Sequence, residues 1–292
     1  MIMTLSATIP ATLILLPRFE VDEVMETISK FDYIFMFPGV ATMLSAVFNH
    51  PRAKELDLSR RIGYVHAGGA PCPESLFNMM RDQNINLAEG WGMSELSARG
   101  ATSPFFGVKK TGSCGVPDPD TELRFVDPET LEDYPPGEPG EILVKGKLVM
   151  RGYWNNPEET EKAFVDGEWL RTGDVGYMDE DGFVYIVDRT KDMILAGGFN
   201  IYPREIDEVL FAHPKVLDVM TIGVPHEYRG ETVKSVIQLK PGETATVEEI
   251  RAYCKERLAP YKVPTIIEFR DELPRSAVGK ALKRVLREEA RK

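Results

Sequence analysis

The chain is short of several things, and each shortage closes off a class of function. Its three cysteines, Cys72, Cys114 and Cys254, lie far apart with no C-x-x-C pair. Its four histidines, His50, His66, His213 and His226, fall at no zinc-like spacing. A disulfide scaffold and a structural zinc site are therefore unsupported, and the odd cysteine count points to reduced thiols in a cytoplasmic setting. Basic residues are outnumbered, 35 against 46 acidic ones, for a formal charge of −11. General nucleic-acid affinity rests on phosphate neutralisation by Lys and Arg, so this balance argues against such a partner. A membrane-length apolar run is missing too. The N-terminal MIMTLSATIPATLILLP is broken by Thr, Ser and Pro10, and no basic residue precedes Arg18. The expectation is therefore that this stretch is neither a signal peptide, which has a charged start, nor a transmembrane segment, which takes about 20 apolar residues. ATLILLP reads instead as a buried strand ending at Pro17.

What is present is ample material for cores: 292 residues, 43% of them apolar, a length that suits about two domains. In the first third, DEVMETISK, PGVATMLSAVF and PESLFNMMRDQ read as helices, the last two with proline at the start. RIGYVHA and INLAEG between them suit buried strands, and the alternation predicts an α/β arrangement. From Gly112 the chain becomes dense in Gly and Pro with short alternating strands, as in a small β-subdomain or barrel. Past residues 188–192 the pattern changes again. IYPREIDEVLFAHP and VEEIRAYCKERL read as helices, VLDVMTIGV, TVKSVIQLK and TIIEFR as strands, and GKALKRVLREEARK as a basic helix. This makes an α+β unit of common domain size. The expected division is 1–187, a connector at 188–192, and 193–292.

One short stretch, EGWGMSELS at 89–97, poses the functional question. It is either a tight turn beside a core tryptophan or a ligand platform with an aromatic face, a hydroxyl and a carboxylate. Its neighbours favour the second. GGAP at 68–71, EGWGMSE, GEILVKGKLVMRGYWNNPEET, WLRTGDVGYMDEDGFVYIVDRTKDMILAGGFNIYPREIDEVL and PRSAVGKALKRVLRE resemble, in order and spacing, the adenylate-forming superfamily. The likeness runs from about Gly68 to the C-terminus and is greatest to fatty-acid and other carboxylic-acid–CoA ligases. It implies the second part of a large AMP-binding domain, with mixed sheet and β-subdomain, followed by a compact α+β lid.

The resemblance also implies chemistry. Such enzymes join a carboxylic acid to ATP with Mg²⁺, release pyrophosphate, and pass the acyl group from an acyl-adenylate to CoA. Lys280 matches the catalytic lysine that steadies the α-phosphate, a task for a point charge on a flexible stem. Val278 stands where a small hydroxyl residue is usual. Glu95 matches the Mg²⁺ ligand, with Ser94 beside it, a hard oxygen donor of the kind that cation takes. Trp91 would stack on adenine, and Gly68, Gly69 and Ala70 would let backbone approach it. Asp174 in RTGD matches the ribose-binding acid, whose two oxygens suit a vicinal diol, and Arg189 reaches ribose or phosphate. Lys191 falls at the hinge about which the lid swings. Gly197 and Gly198 suit a narrow pantetheine channel. His66 reads as a satisfied core histidine, and FDYIFMFPGVATML as core beside the acyl tunnel, with Phe35, Gly39 and Gly90 helping to set its depth.

No stretch matches the family's Ser/Thr/Gly-rich loop ending in lysine, which holds the β- and γ-phosphates. The expectation is a piece lacking the N-terminal phosphate loop. Exposed sheet edges then predict association, either as a homo-oligomer or with an N-terminal half. The acyl group implied is medium- or long-chain, with an aryl acid as the other choice. Two further readings stand beside the ligase: a domain loading a carrier protein, and a non-catalytic nucleotide-binding module.

Overall fold

Three sheets carry the chain, and the way the first one ends explains where the glycine-rich segments fall. The structure is a computed structural model that describes residues 7–69, 72–276 and 281–291. It divides into two compact units: one within Met1–Arg124, Leu143–Thr172 and Met178–Tyr185, the other within Phe125–Ile142, Gly173–Tyr177 and Ile186–Lys292.

The first unit begins with helix α1 (Val21–Ser29), whose first-turn Asp22 and Glu23 suit the positive end of a helix dipole while Met25 and Ile28 face inward. There follow β1 (Ile34–Gly39), α2 (Ala41–Phe48), the single turns α3 (Arg52–Glu55) and α4 (Leu58–Arg61), β2 (Ile62–Gly68), α5 (Glu74–Asp82) and β3 (Leu87–Trp91). The strands β1, β2 and β3 are parallel, which the helical crossovers between them allow, with Met36 opposite Tyr64 and Val65 opposite Leu87. Two short antiparallel strands, β4 (Ala101–Thr102) and β5 (Val116–Pro117), complete the order β1-β2-β3-β4-β5. Met25, Leu44, Val47, Val65, Met80 and Leu87 fill the core under the sheet. Gly39 pairs with Ala67 and Gly68 with Gly90, so all three parallel strands end at one edge. The carboxyl ends of such strands are where open α/β sheets receive ligands.

Two expectations fail here. ATLILLP forms no strand: residues 11–16 are irregular, and Ile14 and Leu15 are 42% and 72% exposed. An apolar run becomes a strand only beside a sheet edge that can pair with it, and among the described residues β1 pairs with β2 alone. Pro38 does not start the second helix either. It lies in β1, opposite His66, and the helix begins at Ala41. An edge strand tolerates a missing N–H, so proline there is no obstacle.

The Gly- and Pro-rich middle supplies β6 (Thr121–Val126), β7 (Gly140–Gly146), helix α6 (Pro157–Ala163), β8 (Phe164–Val165), β9 (Trp169–Met178) and β10 (Val184–Arg189). Their sheet runs β10-β9-β7-β6 with β8 on β9, an open sheet and not a barrel. Asn156 caps α6 through its side chain, accepting from Glu159 N–H ahead of Pro157 at the first turn.

The C-terminal part of the second unit holds β11 (Ile194–Ala196), β12 (Phe199–Ile201), α7 (Pro203–Phe211), β13 (Val216–His226), β14 (Gly230–Leu239), α8 (Val247–Lys255), β15 (Ile266–Phe269) and α9 (Lys283–Ala290). Its sheet order is β12-β11-β14-β13, with β15 parallel to β14. Alternation along β13 sends Val219 to a core with Ile206, Leu210 and Ile250, and Met220 and Ile222 to one with Leu286. Helices therefore cover both faces. No helix among the described residues is long and apolar enough to cross a membrane.

Candidate functional site

In the first unit the strand ends bring a set of predicted residues to one edge. Gly69 has a φ of +77°, a left-handed conformation that glycine adopts without strain, at the close of β2. Across the sheet, a Cβ on Gly90 would lie 2.8 Å from His66 Nε2. The imidazole therefore occupies the space that any larger residue would need. Burial, with the Arg99 charge adding to it, lowers the His66 pKa and keeps the ring neutral. Two positions back along β2, Tyr64 stacks on Phe105 at 4.2 Å between ring centroids, and Phe35 also stacks with Phe105 at 6.4 Å. Tyr64 Oη is buried with no hydrogen-bond partner among the described residues, and burial pushes its pKa up to about 12. The result is an aromatic wall that ends in a histidine. Phe35 was expected there; Tyr64 and Phe105 were not, because cross-sheet stacking leaves no spacing signal.

The EGWGMSE turn follows β3. Trp91 is buried, with its ring so close to Gly100 that a Cβ there would lie 2.6 Å from an indole carbon. Ser94 and Glu95 form a short 3₁₀ turn. Glu95 is held twice by the segment containing RGYW: Met150 N–H donates to its carbonyl at 2.7 Å and Tyr153 O–H to its Oε1 at 3.1 Å. Beside the turn, the buried Asp118 carboxylate pairs with Arg99 and accepts from Thr102. Tyr153, Arg99 and Asp118 are further residues that sequence reasoning missed. Among the described residues no cluster of three potential ligands could hold a metal by itself. One part-exposed carboxylate does fit Mg²⁺ carried in on nucleotide phosphates, since that cation keeps waters and takes few protein ligands.

In the second unit Asp174 and Arg189 come together. Asp174, on β9, is 5% exposed, and Arg189 Nε at the end of β10 donates to its Oδ1 at 3.0 Å. Neighbouring strands in one sheet turn fifteen residues of sequence into direct contact. Thr190 Oγ1 donates to Gly173 O at 2.8 Å, pinning the next turn beside them. Lys191 is exposed on the 3₁₀ turn Thr190–Asp192. Gly197 and Gly198, with φ of +61° and +84°, link β11 to β12 as a two-residue hairpin turn that demands positive φ at both positions. Their lack of side chains thus has a structural cause as well. Ala70 and Lys280 lie outside the described residues.

Comparison with known proteins gives these residues a common setting. Residues 1–154 match the model of the AMP-binding enzyme family and residues 205–280 that of the AMP-binding enzyme C-terminal domain. A long-chain-fatty-acid–CoA ligase of Bacillus subtilis (strain 168) is 46% identical over 99% of this chain and 51% of its own length. A feruloyl-CoA synthase of an Amycolatopsis species is 40% identical over 93% of this chain and 55% of its own. The chain thus spans about half the length of the curated relatives it matches. Among solved structures, ATP-bound MatB from Rhodopseudomonas palustris superposes with a TM-score of 0.91 at 33% identity, covering 98% of this chain and 56% of that one. The anthranilate–CoA ligase AuaEII with anthranoyl-AMP gives 0.86 at 31%, covering 96% and 55%. On the matched models, this identity and the α/β architecture, the chain belongs to the adenylate-forming, AMP-binding enzyme family.

Proposed function

We propose that this chain carries the nucleotide-side residues and the lid of an ATP-dependent carboxylic acid–CoA ligase working through an acyl-adenylate. The observation that carries this reading is the buried Asp174 carboxylate oriented by Arg189, a preformed acceptor for a ribose diol. Trp91 offers adenine an aromatic contact, with Gly68, Gly69 and Ala70 giving the backbone approach. In the first step an acid oxygen attacks the α-phosphorus and the bond to pyrophosphate breaks. Lys280 would meet the charge that develops there, and Glu95, next to Ser94, would hold Mg²⁺, which would supply positive charge to the phosphates. In the second step the CoA thiol attacks the acyl carbonyl and AMP leaves.

The domains are assigned as 1–187, a hinge at 188–192 centred on Lys191, and a lid at 193–292 whose Gly197–Gly198 turn borders the thiol's path. A medium- or long-chain fatty acid is the assigned substrate. Its support is the name of the Bacillus subtilis relative and the aromatic wall of Phe35, Tyr64 and Phe105. Exposed Leu15, Phe106 and Val108 support association with itself or with a polypeptide bearing the phosphate loop. Three buried thiols outside any disulfide support a cytoplasmic setting.

The test is AMP binding by calorimetry. Asp174→Asn keeps shape but halves the acceptor capacity, so affinity should fall roughly 10- to 100-fold, the worth of a charge-assisted hydrogen bond. Unchanged affinity would remove Asp174 from the site. Acyl transfer from supplied acyl-adenylate to CoA, compared with transfer to a phosphopantetheinyl carrier, identifies the acceptor. AMP binding with no transfer to either would leave a nucleotide-binding module.

A further inference from the structure

A buried carboxylate near the end of β10 is shared between the next residue of the strand and the start of a helix. Asp188 is 9% exposed. Its Oδ1 accepts from Arg189 N–H at 2.8 Å, and its Oδ2 from Arg204 N–H at 2.9 Å. Arg204 is the second residue of α7, where the first N–H groups have no partner within the helix. Tyr202 at the N-cap makes no side-chain cap bond, so Asp188 supplies from a strand the acceptor that the cap position lacks. A carboxylate also suits the positive end of the helix dipole. Burial raises the Asp188 pKa, while Lys283 and these two N–H groups pull it down.

A second bond ties the same two elements in the opposite sense. Arg204 Nη1 donates to Ile186 O at 2.5 Å, and its Nε pairs with Glu208 one turn along α7 at 2.9 Å. The Arg204 side chain is 13% exposed, so this is not a solvated surface charge. Residues 186–188 are thus fastened to the first turn of α7 by one accepted and one donated bond. Directly after this anchor comes Arg189, whose Nε holds Asp174 Oδ1 at 3.0 Å. The Arg189 side chain is 41% exposed, so packing fixes it only in part and its aim depends on where the backbone is held. All of these residues lie within the second unit.

We propose that Asp188 and Arg204 are positioning residues: by binding the end of β10 to α7, they aim the Arg189 guanidinium at Asp174. This rests on the reading of Asp174 and Arg189 as the ribose site. In the division assigned above, α7 belongs to the lid and Asp174 does not, so the tie couples the lid helix to the ribose acid.

The experiment is a double-mutant cycle read by calorimetric affinity for AMP, using the full 292-residue chain. Arg189→Met should weaken binding roughly 10- to 100-fold, the size of one charge-assisted hydrogen bond. Asp188→Ala leaves the guanidinium in place but loosens its anchor, and should weaken binding roughly 3- to 30-fold. In the Arg189→Met background, Asp188→Ala should cost less than about threefold, because the group it aims is gone. A purely structural role would lower the urea midpoint of Asp188→Ala and leave the AMP affinity of the folded chain alone. Unchanged or tighter binding by Asp188→Ala beside a weakened Arg189→Met therefore overturns the inference. So does an Asp188→Ala cost of more than about threefold that persists in the Arg189→Met background. No effect of Arg189→Met overturns the reading of Arg189 itself. If circular dichroism shows Asp188→Ala unfolded, Arg204→Met takes its place in the cycle and is judged by the same outcomes. Arg204→Lys, which can still donate to Ile186 O, should then bind within about threefold of the unsubstituted chain, and a lysine as weak as the methionine overturns the inference.

Discussion

Gly90 leaves no room for a methyl group, and that single fact joins a turn glycine to a histidine on the neighbouring strand. The Cβ of an alanine there would press on His66 Nε2 at 2.8 Å. Overpacking of this kind costs about 1–3 kcal/mol, so Gly90→Ala should lower the denaturant midpoint accordingly. The cause is separable: in a His66→Ala background the clash partner is gone, and Gly90→Ala should become nearly neutral. A penalty that persists without the imidazole would assign the cost to backbone conformation instead. The same pair shows what a sequence can disclose. Gly90 stands out because it flanks Trp91 in a recognisable motif, whereas His66, Tyr64 and Phe105 meet only after β2 and β3 have paired. Asp174 and Arg189 stand out through their motifs, and the structure brings the two side chains into contact. Tyr153, which steadies Glu95 from 58 residues away, was not.

At the scale of elements, periodicity served the helices and parallel strands well, because each buries one stripe or one continuous run. It misled where a partner was needed: ATLILLP has a strand's composition but pairs with no strand among the described residues, and Pro38 resembles a helix start yet sits in an edge strand. The ion pairs of the second unit are also beyond periodicity. Asp207 faces Lys283 from α9, Thr221 N–H from β13, and the Asp188 carboxylate. Burial outweighs the lysine's pull and raises the Asp207 pKa from 3.8 to about 6, while the surrounding carboxylates raise that of Lys283 against its own burial. The folded state then binds a proton that the unfolded state releases. Between about pH 4 and pH 6 the Asp207 contribution to stability therefore falls as pH rises, and it is constant above that window. Asp207→Asn should flatten this part of the profile. Urea unfolding at half-unit intervals from about pH 4 to 7 measures it, and an unchanged slope in the variant would place the proton elsewhere.

For the whole molecule, the decisive contrast is between what the 292 residues contain and what the complete reaction requires. They contain Trp91, Asp174 and Arg189, proposed above for a nucleoside, Glu95, proposed for a metal, and Lys280, proposed for the α-phosphate. They contain no Ser/Thr/Gly-rich stretch ending in lysine to cradle the β- and γ-phosphates. The two half-reactions depend differently on that cradle. Expelling pyrophosphate in line with the attacking carboxylate needs the leaving group held, because positioning supplies much of the barrier reduction in phosphoryl chemistry. Passing an acyl group from a ready-made adenylate to a thiol involves no β- or γ-phosphate at all. This chain should therefore bind AMP and supplied acyl-adenylate, and transfer acyl groups to CoA, while ATP–pyrophosphate exchange stays near background. Exchange measured with labelled pyrophosphate over a range of ATP concentrations decides the point. Robust exchange at ordinary ATP would mean that residues within this chain, with Arg189 and Lys280 the first to mutate, hold the triphosphate without a dedicated loop.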